Sequence, residues 1–125
     1  MTEPGLKTAG IIIIGNEILS GKVQDSNSFF LASALRAIGV SVMRISVIPD
    51  DIELIGKEAF LFSETYDYVF TSGGVGPTHD DITMEGIAKG FNAKLICHPE
   101  LEERFRRRYG NAANDAIMKM AMVPV

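Results

Sequence analysis

The run Ala9-Gly10-Ile11-Ile12-Ile13-Ile14 is apolar at every position, rich in β-branched side chains, and stops at Gly15. A strand with one wet face alternates apolar and polar residues. An unbroken run belongs to a strand covered on both faces, so this segment reads as the central parallel strand of an α/β sheet. From Ser26 the spacing changes: Phe30, Leu31, Ala34, Leu35 and Ile38 recur at three and four residues, and Gly39 stands where a helix would be capped. Val40 to Ile48 reads as a second strand ended by Pro49, and Ile52, Ile55, Ala59 and Phe62 as a second helical stripe. Asp67 to Thr71 is a third, short strand. It runs into the glycine-rich loop Ser72-Gly73-Gly74-Val75-Gly76-Pro77, and Met84, Ile87 and Ala88 then mark a short helix ended by Gly90.

Ala93 to Cys97 reads as a fourth strand. Pro99 to Tyr109 reads as a helix with Glu100, Glu102 and Glu103 in its first turn and Arg106, Arg107 and Arg108 in its last, which suits the helix dipole. The pairs Glu100–Arg104, Glu102–Arg106 and Glu103–Arg107 fall at i,i+4, so the arginines read as a solvated helix end before they read as a phosphate patch. Asn111 to Met122 is expected to continue as helix with Ala116, Ile117 and Met120 inward. Strands alternating with helices imply an open parallel sheet, helices on both faces and right-handed crossovers. Residues 1–125 form a single expected domain, and since another strand is due at Val123-Pro124-Val125, the domain is expected to lack a C-terminal segment.

Composition narrows the partners. With 46% hydrophobic and 22% charged residues the chain is an ordinary globular one. A formal net charge of -4 offers no excess of cations to a nucleic-acid backbone. Ile11–Ile14 is too short to span a bilayer, and the polar start Thr2-Glu3-Pro4-Gly5 lacks the regions of a signal peptide. The single cysteine, Cys97, excludes an internal disulfide framework. A cytoplasmic protein is expected, without nucleic-acid or membrane partners. Two histidines and one cysteine give no zinc spacing, and Cys97 and His98, adjacent on a strand, point to opposite faces and cannot form a nucleophile–base pair.

Ligands of open α/β sheets bind beyond the carboxyl ends of the strands. Three loops end there: Gly15 to Asp25, Pro49-Asp50-Asp51 and Ser72 to Asp81. Gly73, Gly74 and Gly76 let the backbone approach a phosphate, although no Lys-Ser or Lys-Thr pair follows as in a P-loop, and His79 stands where a dinucleotide fingerprint needs glycine. Thr78-His79-Asp80-Asp81 places two carboxylates beside that anion site, which Mg²⁺ would reconcile. The same residues have capping-box spacing, so function and helix capping both stand open here. Asp50-x-x-Glu53 is also a capping arrangement, the better local reading of Asp50, and Asp25 competes with Ser26 and Asn27 to cap the helix that follows them. Glu17, with no helix to cap, is the better candidate for a ligand contact.

Gly15-Asn16-Glu17-Ile18-Leu19-Ser20-Gly21, Gln24-Asp25-Ser26-Asn27, Val47-Ile48-Pro49-Asp50 and Thr71-Ser72-Gly73-Gly74-Val75-Gly76-Pro77-Thr78-His79-Asp80-Asp81-Ile82-Thr83, in this order, resemble the molybdopterin-binding domain of molybdenum-cofactor biosynthesis proteins. The Gly-Pro-Thr-His-Asp-Asp variant is most similar to the N-terminal domains of competence/damage-inducible protein A and of eukaryotic FAD synthases. The resemblance implies a three-layer α/β/α sandwich with a mostly parallel sheet, in an oligomer. It implies a pterin or dinucleotide ligand, molybdopterin among them, against Gly15, Glu17, Ser20, Gly21, Asp25 and the loop Ser72, Gly73, Gly74, Gly76, Pro77, Thr78. Asp81 and Asp50 become the functional acids, with a divalent metal at Asp80 and Asp81. The activity this subgroup suggests is metal-dependent pyrophosphate hydrolysis of FAD or ADP-ribose. The alternatives are molybdopterin adenylyl transfer or a non-catalytic binding or regulatory module. Asn16 departs from the Asp of many relatives, which removes a charge from the first loop and favours the binding module.

Overall fold

The structure, a computed structural model, describes residues 6–125. The polar opening Thr2–Gly5 lies outside the described residues. Strand β1 (Lys7–Ile14) is the centre of a three-stranded parallel sheet, flanked by β2 (Val40–Ile48) and β3 (Tyr68–Ser72). Its register runs from Lys7 opposite Val40 to Ile14 opposite Ile48, and from Ala9 opposite Tyr68 to Ile13 opposite Ser72.

Side chains alternate across a strand, so the isoleucine run feeds two cores at once. Ile12 and Ile14 join Ile48, Ile55, Ala59 and Phe62 on one face; Ala9, Ile11 and Ile13 join Leu35 on the other. The first face is covered by α3 (Ile52–Thr65) and α4 (Thr83–Gly90), the second by α2 (Asn27–Ala37). The result is the expected three-layer α/β/α sandwich. Each fully buried isoleucine contributes on the order of 2 kcal/mol of transfer free energy, which makes β1 the energetic axis of the domain. Helices α3 and α4 touch through backbone: a Cβ at Gly90 would lie 2.5 Å from Gly56 Cα, and one at Gly56 would lie 2.7 Å from the Gly86 carbonyl oxygen.

Three expectations fail, each for a local reason. The fourth strand, β4 (Leu95–Cys97), does not join the parallel sheet; it pairs antiparallel with β5 (Met122–Pro124), Leu95 opposite Pro124 and Cys97 opposite Met122. Asn111 to Met122 is not one helix. A 3-10 turn at Gly110–Ala112 gives way to α6 (Asp115–Lys119), started by Asn114, whose side-chain oxygen accepts from the Ile117 N–H at 3.0 Å, and the chain then turns into β5. Ala116 is exposed, and Ala121 is the buried alanine. On α2, Leu31, Ala32 and Leu35 face the sheet, whereas Phe30 and Ile38 are 70% and 75% exposed.

Helix α5 (Pro99–Tyr109) matches the charge pattern, with pairs Glu100–Arg104, Glu102–Arg106 and Glu103–Arg107 at 3.2, 3.1 and 2.6 Å. His98 starts it by accepting from the Leu101 N–H. Among the described residues no helix is long and apolar enough to cross a membrane.

Candidate functional site

Because β1, β2 and β3 are parallel, their carboxyl ends share one edge of the sheet and deliver the loops 15–26, 49–51 and 73–82 to it. The glycine loop is forced to its composition. Gly73 and Gly74 have φ of 101° and 68°, a Cβ on Gly73 would sit 2.0 Å from the Ile14 carbonyl oxygen, and one on Gly74 would sit 2.1 Å from Thr83 Oγ1. Thr83, fully buried at the start of α4, holds the loop from beneath: its hydroxyl donates to the Gly73 carbonyl at 2.7 Å and its N–H to the Gly74 carbonyl at 3.0 Å. Asn27 Nδ2 donates to Ser72 Oγ at 2.8 Å and ties the loop to α2.

The first two loops are clasped to each other. The Asn16 N–H donates to Asp50 Oδ2 and the Asp50 N–H donates to Asn16 Oδ1, both at 3.1 Å. Capping of α3, expected of Asp50, is done one residue later: Asp51 Oδ1 accepts from the Leu54 N–H at 2.9 Å. A side chain at the N-cap reaches the amide three residues on, a geometry that Asp51 has and that Asp50, the last residue before it, gives up for the Asn16 clasp. Glu17 lies not in an open loop but in the one-turn helix α1 (Asn16–Leu19), followed by Ser20, whose hydroxyl donates to the Glu17 carbonyl. Asp25 wins the capping contest at α2, accepting from the Asn27 and Ser28 N–H groups at 3.0 and 3.3 Å.

Between these loops opens a crevice of about 670 Å³ lined by Asn16, Glu17, Ser20, Lys22, Asp50, Ile52, His79, Asp80 and Ile82. Its size falls in the range of small-ligand sites. A recess of about 210 Å³ lies on the other side of Glu17, walled by Ile13, Ile14, Ile18, Asp25, Asn27, Ser72 and Gly73. Glu17 lines both. Gly21, at φ 80° with open space where a Cβ would go, turns the chain between them, and Pro77 and Thr78 lie exposed on the rim of the third loop.

Asp81 faces elsewhere. Its carboxylate accepts from the Thr78 hydroxyl at 2.7 Å and the Thr78 N–H at 2.9 Å, and the hydroxyl above all holds it below the usual carboxylate range. It lines a small cavity of about 70 Å³ behind the glycine loop with Gly74, Gly76, Met84 and Lys119, whose ammonium donates to the Thr78 carbonyl. The expected capping box thus closes the 78–81 turn on itself; helix α4 starts at Thr83, and its N-cap residue, Ile82, provides no side-chain cap. Asp80 is almost wholly exposed at the crevice rim, 3.6 Å from His79. Among the described residues no three of His, Cys, Asp and Glu converge to hold a metal ion; of the expected metal pair, Asp80 lines the crevice and Asp81 the cavity behind the glycine loop.

Thr83 and Lys119 are the supports that the sequence pattern does not single out. Thr83 had a readable sign, a hydroxyl four residues before Ile87 on the core-facing stripe of α4. Lys119 had none, since 41 residues separate it from Thr78.

A parallel sheet with helices on both faces, three loops converging on one edge and a glycine turn braced from below define an α/β/α domain with a crevice of small-ligand size. The chain belongs to the molybdopterin-binding domain family: the family described as a probable molybdopterin binding domain matches residues 10–125. A probable FAD synthase of Caenorhabditis elegans is 48% identical over 104 residues, 83% of this chain and 20% of that protein. A protein of Archaeoglobus fulgidus is 41% identical over 114 residues, 91% of this chain and 49% of its own length. This chain therefore spans about a fifth of the nematode relative and about half of the archaeal one. The crystal structure of the protein CinA from Thermoplasma acidophilum, of unknown function, superposes with a TM-score of 0.88 at 36% identity, covering 94% of this chain and 71% of that one. The molybdopterin biosynthesis enzyme MoaB of Thermus thermophilus has a TM-score of 0.68 at 21% identity over 96% of this chain and 75% of that one, a likeness of fold alone.

Proposed function

We propose that this domain binds a phosphate-bearing small molecule of the pterin or nucleotide class, molybdopterin or an adenine dinucleotide, at the carboxyl edge of its sheet. The observation that carries the reading is the glycine loop, locked in positive φ by Thr83 beside a crevice of ligand size. Gly73 borders the recess on the other side of Glu17, and the reading assigns the anionic oxygens to backbone amides of this side-chain-free turn. Lys22 adds a cation to the crevice wall, and the Asn16–Asp50 clasp fixes the spacing of the two facing loops. The setting of the proposal is the cytoplasm. Calorimetry with FAD and ADP-ribose tests it: binding is expected in the wild type and at least a tenfold loss in Gly74→Val, whose side chain would enter the space of Thr83. Binding unchanged in a folded Gly74→Val variant would move the site elsewhere.

Hydrolysis of a nucleotide pyrophosphate bond is the second reading, and adenylyl transfer to molybdopterin a related one. What favours hydrolysis is the gathering of Glu17, Asp50 and Asp80 around a single crevice. It needs a divalent cation between those carboxylates and the phosphates, and the residues as placed do not gather into one: among the described residues no three such groups converge, and Asp50 is turned to the Asn16 N–H. The binding reading is therefore the stronger. Release of AMP from FAD or ADP-ribose with Mg²⁺, abolished by Asp50→Asn, would reverse that order.

A further inference from the structure

The turn that carries His79 and Asp80 to the crevice is closed on itself. Thr78 gives its N–H and its hydroxyl to Asp81 Oδ2, and the Asp81 N–H returns to the Thr78 carbonyl at 3.1 Å. Those bonds fix the shape of the turn but not its place on the molecule. Among the described residues, the hydrogen bond that ties residues 75–80 to another element comes from Lys119, whose ammonium donates to the Thr78 carbonyl at 2.5 Å. The side chains of His79 and Asp80 stand almost wholly in solvent, so packing contributes little to holding them over the crevice.

Lys119 reaches the turn from a fixed base. It is the last residue of α6, two residues before Ala121, which is fully buried and whose carbonyl accepts from the His98 N–H at 2.8 Å where β5 meets β4. Its side chain is only 27% exposed, lining the cavity behind the glycine loop with Met84, Met120 and Met122, and its ammonium lies 4.0 Å from Glu85. A hydrogen bond from a charged donor is stronger than one between neutral groups, and a side chain already confined by its neighbours loses little further rotamer freedom in making it. The glycine loop is thus braced at two places by different elements. Thr83 of α4 holds Gly73 and Gly74 from beneath, and Lys119 holds Thr78 from behind.

We propose that Lys119 is a positioning residue of the candidate site: through the Thr78 carbonyl it sets where His79 and Asp80 stand at the crevice rim. Lys119 does not line the crevice itself, so a residue on the β4–β5 side of the domain governs a site it does not touch. The effect on ligand affinity rests on the binding reading given above; the placement of the turn does not.

Amide hydrogen exchange of the full chain without ligand tests the placement. Lys119→Met keeps the length of the side chain and removes its donors and its charge. In this variant the Thr78 and Asp81 amides should exchange about tenfold faster than in the wild type, with the Thr83 and Gly86 amides of α4 unchanged and the far-UV circular dichroism retained. Lys119→Arg, which keeps a cation and its donors, should restore most of that protection, and Lys119→Gln stands in if the methionine variant fails to fold. Calorimetry with ADP-ribose is the second arm: binding about tenfold weaker in Lys119→Met and regained in Lys119→Arg is expected. Wild-type exchange at Thr78 and Asp81 in Lys119→Met, protection lost equally along α4 and β5, or full affinity beside a faster-exchanging turn would each overturn the proposal. Faster exchange at the turn in Lys119→Met, with no ADP-ribose bound even by the wild type, would refute the binding reading and leave the placement of the turn by Lys119 standing.

Discussion

Replacing Thr83 by valine asks whether one buried hydroxyl shapes the candidate site. The side chain is fully buried, and its hydroxyl donates to the Gly73 carbonyl at 2.7 Å. Valine keeps the shape but puts a methyl where the hydrogen bond was. A carbon cannot approach that oxygen closer than about 3.3 Å, so the glycine loop must retreat by roughly half an ångström, and the carbonyl loses its donor. Leaving a buried acceptor unsatisfied costs about 2 kcal/mol, which lowers Tm by roughly 8 °C in a domain of this size. Thr83→Ser keeps the bond and loses one buried methyl, at about 0.8 kcal/mol or roughly 3 °C. Urea titrations with a constant m-value give the ordering wild type, Ser, Val, and calorimetry with ADP-ribose should show affinity kept in Ser and lost in Val. A valine variant as stable as the serine variant, or one that binds as the wild type does, would refute the bracing role assigned to Thr83.

Other expectations follow from the same geometry. Asp51→Ala should cost about 1 kcal/mol through the lost cap of α3, whereas Asp50→Ala should spare the helix and loosen the clasp with Asn16, seen as weaker binding with little change in Tm. Gly73→Ala, forced against the Ile14 carbonyl at a φ of 101°, should destabilise more than Gly21→Ala, which is strained in φ but meets open space; thermal melts rank the two. The carboxylates of Asp67, held mainly by the Thr8 N–H, and of Asp81, held mainly by the Thr78 hydroxyl, both lie below the ordinary range when folded. A depressed folded value gives stability that is present above the unfolded value near 3.9 and lost as pH falls through the folded ones, so Tm should be level from pH 7 to 5 and fall below about pH 4. Asp67→Asn should make that fall shallower.

How far the sequence could be read follows from how local each cause is. The isoleucine run, the stripe of α3 and the glycine turn each declare themselves within a dozen residues, and each is where the spacing predicts. Helix α5 is as legible, because its dipole and its i,i+4 pairs are set by adjacent turns. The fate of β4 was not, since its partner β5 lies 27 residues away and a three-residue strand carries no mark of whether it pairs parallel or antiparallel. Phe30 and Ile38 misled for a related reason: helical spacing shows that a stripe is apolar, not whether this domain covers it. At the site, glycines and acids were visible as types. Their division into a crevice with Glu17, Asp50 and Asp80 and a rear cavity with Asp81 depends on the Thr78 turn and on Lys119, contacts that residue spacing does not encode.

The central claim is that the carboxyl edge of the sheet holds a phosphate-bearing ligand against the glycine loop. Its most direct test is a ¹⁵N-correlation titration of the uniformly labelled chain with ADP-ribose and FAD. Saturable shifts confined to the amides of residues 15–22, 50–52 and 72–83, with the largest changes at Gly73 and Gly74, are the expected result. Shifts centred on α5 or on the β4–β5 ribbon, or no shift at millimolar ligand, would contradict the account.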